Sequence, residues 1–278
     1  MRRIYLEITP KCGLSCSFCP PHKQTGEPMP IALFERSAAQ AATLTREVSL
    51  HVMGDPLTVE NLSEYLDICA AHKLKVGLTT AGHLVNESRY DALLHPAIKQ
   101  VNFSVASFAA NTQKVALETY LAPLIAYAKT ASQTDQIFTN FRLWNLDDRA
   151  ETAAFNSAVL EVLTRSFTVE KRKDFAQLTS RVRLVYDVLF TWPDLRGPVV
   201  SERGTCHGAS GQLAILSDGR VVPCCLDSNG AITLGRVDDR GLKEILKTPR
   251  AQALRDGFNR GELIEPLCRR CGYRERFN

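Results

Sequence analysis

The sequence contains no apolar run near the roughly 18 residues that a membrane-spanning helix needs. Its start, Met1-Arg-Arg-Ile-Tyr-Leu-Glu7, is basic, but the apolar stretch is far too short for a secretion signal. Neither sign of charge is in large excess, because 34 basic and 30 acidic residues leave a net charge of +4. That imbalance alone does not predict nucleic-acid binding. Repeats and low-complexity segments are absent as well.

Cysteine, by contrast, is abundant. The 278 residues include nine cysteines, and the hydrophobic fraction of 45% is ordinary for one large domain or two modest ones. Nine cysteines would suit disulfides in a secreted protein. Without a secretion signal, and at the spacings found here, metal ligation is the better interpretation. We therefore expect a reducing, cytoplasmic compartment and no membrane partner.

Short strands alternate with helices over residues 1 to about 190, and this alternation predicts a parallel sheet. The strand candidates are 3–8, 47–53, 75–79, 100–106, 136–144 and 182–190. The helix candidates are 31–46, 58–72, 86–95, 111–130 and 147–166. Cys69 shares an apolar helical stripe with Leu62, Tyr65 and Leu66, so it is expected to pack in the core.

Each strand candidate has one apolar and one polar face. In the first strand, Ile4, Leu6 and Ile8 point to one side, and Glu7 and Thr9 point to the other. Because a parallel sheet covered on both faces is apolar on both, we expect a curved sheet with helices outside and a polar inner face for ligands. The predicted fold class is α/β, a partial (β/α)6 TIM-like barrel. An antiparallel sheet with one wet face is the alternative, and the intervening helices count against it.

The character of the sequence changes within 192–205, where the run Trp-Pro-Asp-Leu-Arg-Gly-Pro indicates a turn or linker. Five of the nine cysteines follow this segment. We therefore predict a barrel core over residues 1–195 and a small, cysteine-rich C-terminal domain over residues 196–278.

Three cysteines near the start, Cys12, Cys16 and Cys19, have the spacing C-x3-C-x2-C. A structural zinc site has four protein ligands, whereas three thiolates suit a four-iron cluster that keeps one iron open. With Phe18 before the last cysteine, the motif resembles the signature of the radical S-adenosylmethionine (SAM) superfamily. The resemblance implies that the open iron binds the amino and carboxylate groups of SAM and that Phe18 lies beside the adenine. Loop thiols, or a zinc site completed from elsewhere, are the alternatives.

A second cysteine set lies in the C-terminal segment. Cys206 and Cys224 flank a hairpin that an Asp-Gly turn predicts, and Cys268 and Cys271 follow a helical stretch. Four cysteines in this order hold either zinc or a second iron–sulfur cluster, and chemistry alone does not decide between them. Cys225 is either an alternative ligand or a buried thiol, and Cys224 is favoured because it stands in the G-x4-C frame.

Beside the first motif, this pattern resembles the auxiliary-cluster extension of the SPASM and twitch branch of the superfamily. No further cysteine follows Cys271, so the resemblance is to the single-cluster twitch form. It implies a second [4Fe–4S] cluster held by the four C-terminal cysteines.

The resemblance also implies contacts to SAM. The segment His51-Val-Met-Gly54-Asp55-Pro56 resembles the glycine-glycine-glutamate motif, whose main chain and acid receive the SAM amino group. Met53 replaces a glycine here, and Asp55 replaces the glutamate. A turn capped by Asp55, with Pro56 opening the next helix, is the alternative.

Three positions on other strands complete the implied SAM site. Thr80 stands at the end of the third strand, and Ser104 on the fourth matches the family's serine near the ribose and carboxylate. Arg142 on the fifth strand is placed to bind the methionine carboxylate through two parallel hydrogen bonds. A salt bridge between Arg142 and Glu7 is the alternative.

Glu7, His51 and Asp187 are predicted to face the polar side of the sheet, so they are candidates for substrate contact or for a general base. Internal salt bridges with Arg142 or Arg183 are the alternative for them.

The resemblance implies an enzyme that cleaves SAM reductively to methionine and a 5′-deoxyadenosyl radical, which takes a hydrogen atom from a substrate. With an auxiliary cluster as electron acceptor, the expected activity is that of an oxidoreductase acting on a small molecule or on a peptide or protein side chain. A flavodoxin or ferredoxin is the expected reducing partner. We expect no leader-peptide-binding module before the first strand, and this favours a small molecule or a separately recruited protein as substrate.

Two other functions remain open from the sequence. One is a radical SAM enzyme that modifies RNA. The only basic cluster that would indicate RNA binding is formed by Arg269, Arg270 and Arg274. The other is an iron–sulfur or zinc protein without catalytic activity.

Overall fold

The structure, a computed structural model, describes residues 1–20, 26–111 and 115–277. Its strands are β1 (Arg3–Leu6), β2 (Glu47–Ser49), β3 (Lys75–Thr80), β4 (Ile98–Phe103), β5 (Phe138–Leu146), β6 (Glu170–Lys171), β7 (Phe175–Gln177), β8 (Val182–Val188), β9 (Gln212–Ile215), β10 (Arg220–Val222) and β11 (Gly235–Arg236). Its α-helices are α1 (Ile31–Ala42), α2 (Leu62–Ala71), α3 (Tyr90–Leu93), α4 (Ala106–Ala109), α5 (Leu117–Gln133), α6 (Ala150–Thr164), α7 (Leu242–Ile245) and α8 (Pro249–Asn259).

The chain packs as two compact units. The first comprises Met1–Cys12, Cys19–Lys75 and Phe190–Asn278. The second comprises Gly13–Phe18 and Val76–Leu189.

In the first unit, β1 is parallel both to β2 and to β9. The hairpin β9–β10 and the short strand β11 continue this part of the sheet in antiparallel fashion. Gly219 takes a φ of +88° in the turn, as the Asp-Gly signal predicts. Ile4, Leu6 and Ile8 are completely buried on one side of the first strand and its extension. The C-terminal hairpin is therefore built directly onto the first strand of the chain.

In the second unit, β3, β4, β5 and β8 form a parallel run. A short antiparallel hairpin, β6–β7, pairs with β8 at its edge. The apolar side chains Val101, Phe103, Phe141 and Leu143 are completely buried on β4 and β5, because helices such as α5 supply the covering layer. Tyr127 on α5 meets Phe103 edge to face, with ring centroids 5.6 Å apart.

The predicted fold class is confirmed: the fold is α/β, with a mixed sheet that does not close and is thus a partial barrel. All six predicted strands are present, as β1–β5 and β8, and pair in parallel within each unit, so the antiparallel alternative is wrong. Cys69 is completely buried on α2, as predicted. No helix in the described part of the chain is long and apolar enough to cross a membrane.

Several element boundaries differ from the prediction. The helix predicted at 58–72 begins at Leu62, after a separate 3-10 turn over Pro56–Thr58. The helix predicted at 111–130 begins at Leu117, and its residues 112–114 lie outside the described residues. The polar face is also more buried than a solvent-facing side would be, since Glu7 is 0% and Asn102 is 3% exposed.

Candidate functional site

The loop after β1 carries the three N-terminal cysteines. Cys12, Cys16 and Cys19 are half-buried and are not joined in a disulfide, and Phe18 is half-buried as well. Cys12 and Cys19 belong to the first unit, and Cys16 belongs to the second. Partial exposure on an irregular loop leaves these sulfurs accessible to a metal cofactor.

Asn111, just after α4, holds the middle of this loop. Its Nδ2 donates to Cys16 Sγ at 3.1 Å and to the Ser107 carbonyl at 2.8 Å, and its Oδ1 accepts the Ser15 N–H at 2.9 Å. One amide side chain thus fixes the backbone before Cys16 and contacts its sulfur. Sequence reasoning missed Asn111, because it lies 95 residues from Cys16 and no local pattern marks it.

The segment 51–56 passes very close to the start of the cysteine loop. A Cβ on Gly54 would lie 2.0 Å from the Thr9 carbonyl oxygen and 2.8 Å from that of Lys11, so only glycine fits there. The Asp55 N–H also donates to the Lys11 carbonyl at 2.8 Å. The predicted SAM-binding segment is therefore held against the residues that lead into Cys12.

Asp55 caps the turn that follows. Its Oδ1 accepts the Leu57 N–H at 3.0 Å, and Pro56 opens the 3-10 turn. The carboxylate is 2% exposed. The geometry gives it the capping role that the sequence left as the alternative, while a contact between Asp55 and SAM stays a prediction.

Glu7 follows β1 and is completely buried. Its Oε1 accepts the Met53 N–H and its Oε2 accepts the Ser217 N–H, each at 3.2 Å. Burial raises the pKa of Glu7 to about 7, although both N–H groups favour the charged form. This carboxyl group therefore links the residue before Gly54 to the turn between β9 and β10.

His51 packs against Tyr5, with ring centroids 5.6 Å apart and nearly perpendicular planes. Tyr5 is also hydrogen-bonded to the Cys225 thiol. Burial raises the pKa of Cys225 to about 11, and its side chain packs against an apolar cluster that includes Val52. Cys225 is thereby held on the β1 side of the hairpin.

Thr80 and Ser104 meet where two parallel strands end. Thr80 is the last residue of β3, and its carbonyl oxygen accepts the Ser104 N–H at 2.8 Å. Ser104 was predicted to lie on the fourth strand, but β4 ends one residue before it. The carboxyl ends of parallel strands are where α/β folds bind ligands, so the corrected position still suits a binding residue.

Arg142 lies on β5, as predicted, with its guanidinium carbon 4.5 Å from the centroid of the Trp144 ring. Asp187 on β8 pairs in register with Trp144, and its Oδ1 accepts the Val188 N–H at 2.8 Å. The Trp144 ring holds the planar guanidinium against β5.

A row of amides crosses the polar side of the second unit. Gln100 Nε2 and Asn140 Nδ2 both donate to Asn102 Oδ1, at 2.7 and 2.9 Å, and Asn102 Nδ2 donates to the Leu78 carbonyl. Buried amides joined in this way fix the register of neighbouring strands. The alternation of the strand candidates predicted a polar face but gave no sign of this network.

The four C-terminal cysteines predicted as ligands line one cavity in the first unit. Its walls include Cys206, Cys224, Cys268 and Cys271 together with Leu226, Ile232, Phe258, Leu263 and Leu267. Burial raises the pKa values of the Cys206, Cys224 and Cys268 thiols. Thiolates in such apolar surroundings need a positive partner, which a metal centre supplies.

The four cysteines come from separate parts of the C-terminal segment and line one cavity. In a four-iron cubane each cysteine binds its own iron, so thiols spread around a cavity suit that group.

Arg274 also lines the cavity, is 4% exposed, and has a buried Nε that finds no hydrogen-bond partner in the described structure.

Comparison with known proteins decides the family. Residues 6–131 match the family model of the radical SAM superfamily, and residues 206–272 match that of SPASM, an iron–sulfur cluster-binding domain. The chain is a radical SAM protein with a SPASM domain. The resemblance drawn from the two cysteine motifs is confirmed. In sequence, no curated protein matches the chain.

Solved structures share the fold of this radical SAM protein. A crystal structure of BtrN in complex with AdoMet and 2-DOIA has a TM-score of 0.61 and 19% identity, and the match covers 97% of this chain and 92% of that one. Native anSMEcpe with bound AdoMet and Cp18Cys peptide has a TM-score of 0.64 and 13% identity, and the match covers 98% of this chain and 89% of that one. Streptococcus suis SuiB bound to precursor peptide SuiA has a TM-score of 0.59 and 15% identity, and the match covers 91% of this chain and 66% of that one.

The two domains imply the cofactors: SAM, a SAM-binding [4Fe–4S] cluster and an auxiliary iron–sulfur cluster. The predicted cofactors are thus confirmed. The sequence left either zinc or an iron–sulfur cluster at the C-terminal cysteines, and the SPASM match indicates the iron–sulfur cluster.

Proposed function

We propose that this radical SAM enzyme is an oxidoreductase that removes two electrons from a small molecule or from a peptide or protein side chain. The observation that carries the proposal is the cavity lined by Cys206, Cys224, Cys268 and Cys271. When bound, the cofactors supply hydrogen-atom abstraction by a 5′-deoxyadenosyl radical and an acceptor for the second electron.

In this proposal each set of predicted residues has one task. The first cluster would be held by Cys12, Cys16 and Cys19, and the auxiliary cluster by the four cavity cysteines. SAM would be held by Phe18, Gly54, Asp55, Pro56, Thr80, Ser104 and Arg142. The close approach of Gly54 to the Thr9 carbonyl supports the SAM assignment, because it fixes main-chain groups beside the cysteine loop.

The proton released on oxidation needs a base. Glu7 has a pKa of about 7, but it is completely buried and both its oxygens accept main-chain N–H groups. His51 and Asp187 are partly exposed, so they are better placed to meet a substrate. We keep all three as candidates and favour the latter two.

The substrate classes rest on the proteins of similar fold. The BtrN structure contains 2-DOIA, and the anSMEcpe and SuiB structures contain peptides. These complexes support a small molecule or a peptide as substrate here. A flavodoxin or ferredoxin would deliver the electron for SAM cleavage.

The RNA alternative loses support from the structure. Arg269 Nε donates to the Leu263 carbonyl at 2.7 Å, and Arg270 Nε donates to the Gly197 carbonyl at 2.9 Å. Arg274 is buried. These arginines therefore do not form the exposed basic patch that RNA binding requires.

The proposal is tested by anaerobic turnover with candidate substrates deuterated at the reacting carbon. Deuterium in 5′-deoxyadenosine, together with product two electrons more oxidised than substrate, is the expected result. Deuterium transfer with a redox-neutral product would contradict the oxidoreductase assignment and leave the radical SAM chemistry standing. The same preparation should contain about eight irons and eight sulfides, enough for two cubanes.

A further inference from the structure

Arg274 occupies an unusual position. It is 4% exposed, and its side chain lines the cavity that Cys206, Cys224, Cys268 and Cys271 also line. Its Nε is buried and has no hydrogen-bond partner among the residues that the structure describes. A guanidinium stays protonated in any protein environment, so a full positive charge lies at this cavity wall.

A buried charge is costly unless an anion compensates it. Asp227, which lines the cavity, and Glu265, which lies near Cys268, have other partners. Asp227 accepts the Ala231 and Ile232 N–H groups, at 2.8 and 2.7 Å. Glu265 forms two bonds to Arg250, at 2.7 and 2.9 Å. Neither therefore explains why Arg274 is buried here.

The four thiolates supply the missing anion. A cubane with four thiolate ligands is a dianion when oxidised and a trianion when reduced, so it is negative in both states. We propose that Arg274 compensates the charge of the auxiliary cluster and raises its reduction potential. This inference rests on the proposed function, in which the four cavity cysteines hold that cluster.

The direction of the effect follows from electrostatics. A fixed positive charge stabilises the more negative, reduced state more than the oxidised state, and net charge is among the factors that set cluster potentials. A higher potential makes the auxiliary cluster a better acceptor for an electron from a substrate radical. Arg274 would thus favour the oxidation step without touching SAM.

The test uses the full-length chain with Cys12, Cys16 and Cys19 all changed to Ala, so that only the auxiliary cluster remains. Redox titration, followed by the electron paramagnetic resonance signal of the reduced cluster, gives the equilibrium constant for its reduction. Arg274→Gln should lower this constant about tenfold, which is about 59 mV for one electron. Arg274→Lys keeps the charge, so its equilibrium constant for reduction should lie between those of the parent and of Arg274→Gln. Arg260→Gln is the matched control, because that guanidinium is exposed and paired with Glu262 at 3.0 Å.

The outcomes separate the two proposals. If the triple variant itself holds no cluster, the auxiliary-cluster part of the proposed function fails, and this inference falls with it. If the cluster forms and Arg274→Gln titrates like the parent, this inference alone is overturned. Should Arg274→Gln lose iron, Arg274→Met fills similar space without an unpaired polar group. Iron loss from both neutral variants but not from Arg274→Lys also supports a charge role, whereas loss from all three assigns Arg274 to packing.

Discussion

Asn111 Nδ2 donates a hydrogen bond to Cys16 Sγ at 3.1 Å, and the same side chain accepts the Ser15 N–H at 2.9 Å. Hydrogen bonds to cysteine sulfur stabilise the negative charge that reduction adds to an iron–sulfur cluster. If Cys16 binds the first cluster, as proposed, Asn111 joins two properties that SAM cleavage requires, an ordered cysteine loop and a cluster that accepts an electron.

We expect Asn111→Ala to slow dithionite-driven SAM cleavage roughly five- to tenfold, since each lost hydrogen bond is worth about 1 kcal/mol. Asn111→Asp separates the two roles. It keeps an acceptor for the Ser15 N–H but places a negative charge beside the sulfur, so the first cluster should become harder to reduce than in Asn111→Ala. A redox titration of that cluster in the three proteins checks the order, and an Asp variant that titrates like the parent would contradict it.

Gly54→Ala should damage the first cluster site selectively. The new Cβ would lie 2.0 Å from the Thr9 carbonyl oxygen and 2.8 Å from that of Lys11, and both are backbone atoms. Overpacking of this kind costs roughly 1–3 kcal/mol, and the strain acts on the residues leading into Cys12. We expect weaker SAM binding and about four fewer irons per chain, measured by calorimetry and iron analysis.

Gly241→Ala is the matched control for that variant. Nothing lies within 4 Å of a Cβ at Gly241, and its φ of −66° suits alanine. The control should keep parent iron content and SAM affinity. Equal behaviour of Gly54→Ala and Gly241→Ala would show that the close approach at Gly54 has no functional consequence.

The sequence predicted the sheet because strand periodicity is a local property. Alternation along Ile4 to Thr9 and along Val101 to Val105 separates the two faces of a strand before any contact is known. The Asp-Gly turn and the cysteine spacings are local too, so the hairpin and both cysteine sets were visible. By contrast, the β6–β7 hairpin has strands of only two and three residues, too short for any alternation to show.

The supporting residues of the site were not predictable in the same way. Asn111 reaches Cys16 across 95 positions, and nothing in its own neighbourhood indicates that partner. Arg274 appeared in the sequence only as one of several C-terminal arginines, and the fold alone shows that it is buried beside four thiols. Periodicity predicts which side chains lie inside, but it does not predict which polar atoms meet there.

Cys224 and Cys225 should differ in their effect on the auxiliary cluster. Cys224 lines the cavity with the other three cysteines, whereas Cys225 is held by Tyr5 and packs against the apolar cluster around Val52. In the full chain, Cys224→Ala should lose about four irons and Cys225→Ala should lose none. The reverse pattern in iron analysis and in Mössbauer spectra would make Cys225 the ligand.

Arg142→Ala should weaken SAM binding on the order of ten- to a hundredfold, the usual range for loss of a charge-assisted contact. The SAM affinity of Arg142→Lys should fall between those of the parent and of Arg142→Ala. Lysine keeps the charge but lacks the planar guanidinium, which makes two parallel hydrogen bonds and stacks on Trp144. Arg183→Ala is the control, since Arg183 is also stacked, 4.9 Å from the Phe175 centroid, and bonds to Gln177. SAM affinity equal to the parent in both Arg142 variants would assign Arg142 to structure.

Glu7 should make the stability of the fold depend on pH. Burial raises its pKa from 4.5 to about 7 in the folded protein, so the native state keeps a proton that the unfolded chain releases between these values. Stability from this group is therefore greatest below about pH 4.5 and falls as the pH rises towards 7. At about 1.4 kcal/mol per pH unit, the loss is on the order of 3 kcal/mol.

Glu7→Gln removes this titration. At pH 5 the variant should be less stable than the parent, because one amide oxygen cannot accept both the Met53 and the Ser217 N–H groups. At pH 8 the difference should shrink or reverse, since the parent then buries a charge and the variant does not. Anaerobic urea unfolding at pH 5, 6, 7 and 8 measures the difference, in which other titrating groups cancel. The exposed Glu27→Gln serves as control, and a Glu7→Gln difference that stays constant with pH would show that Glu7 does not titrate in this range.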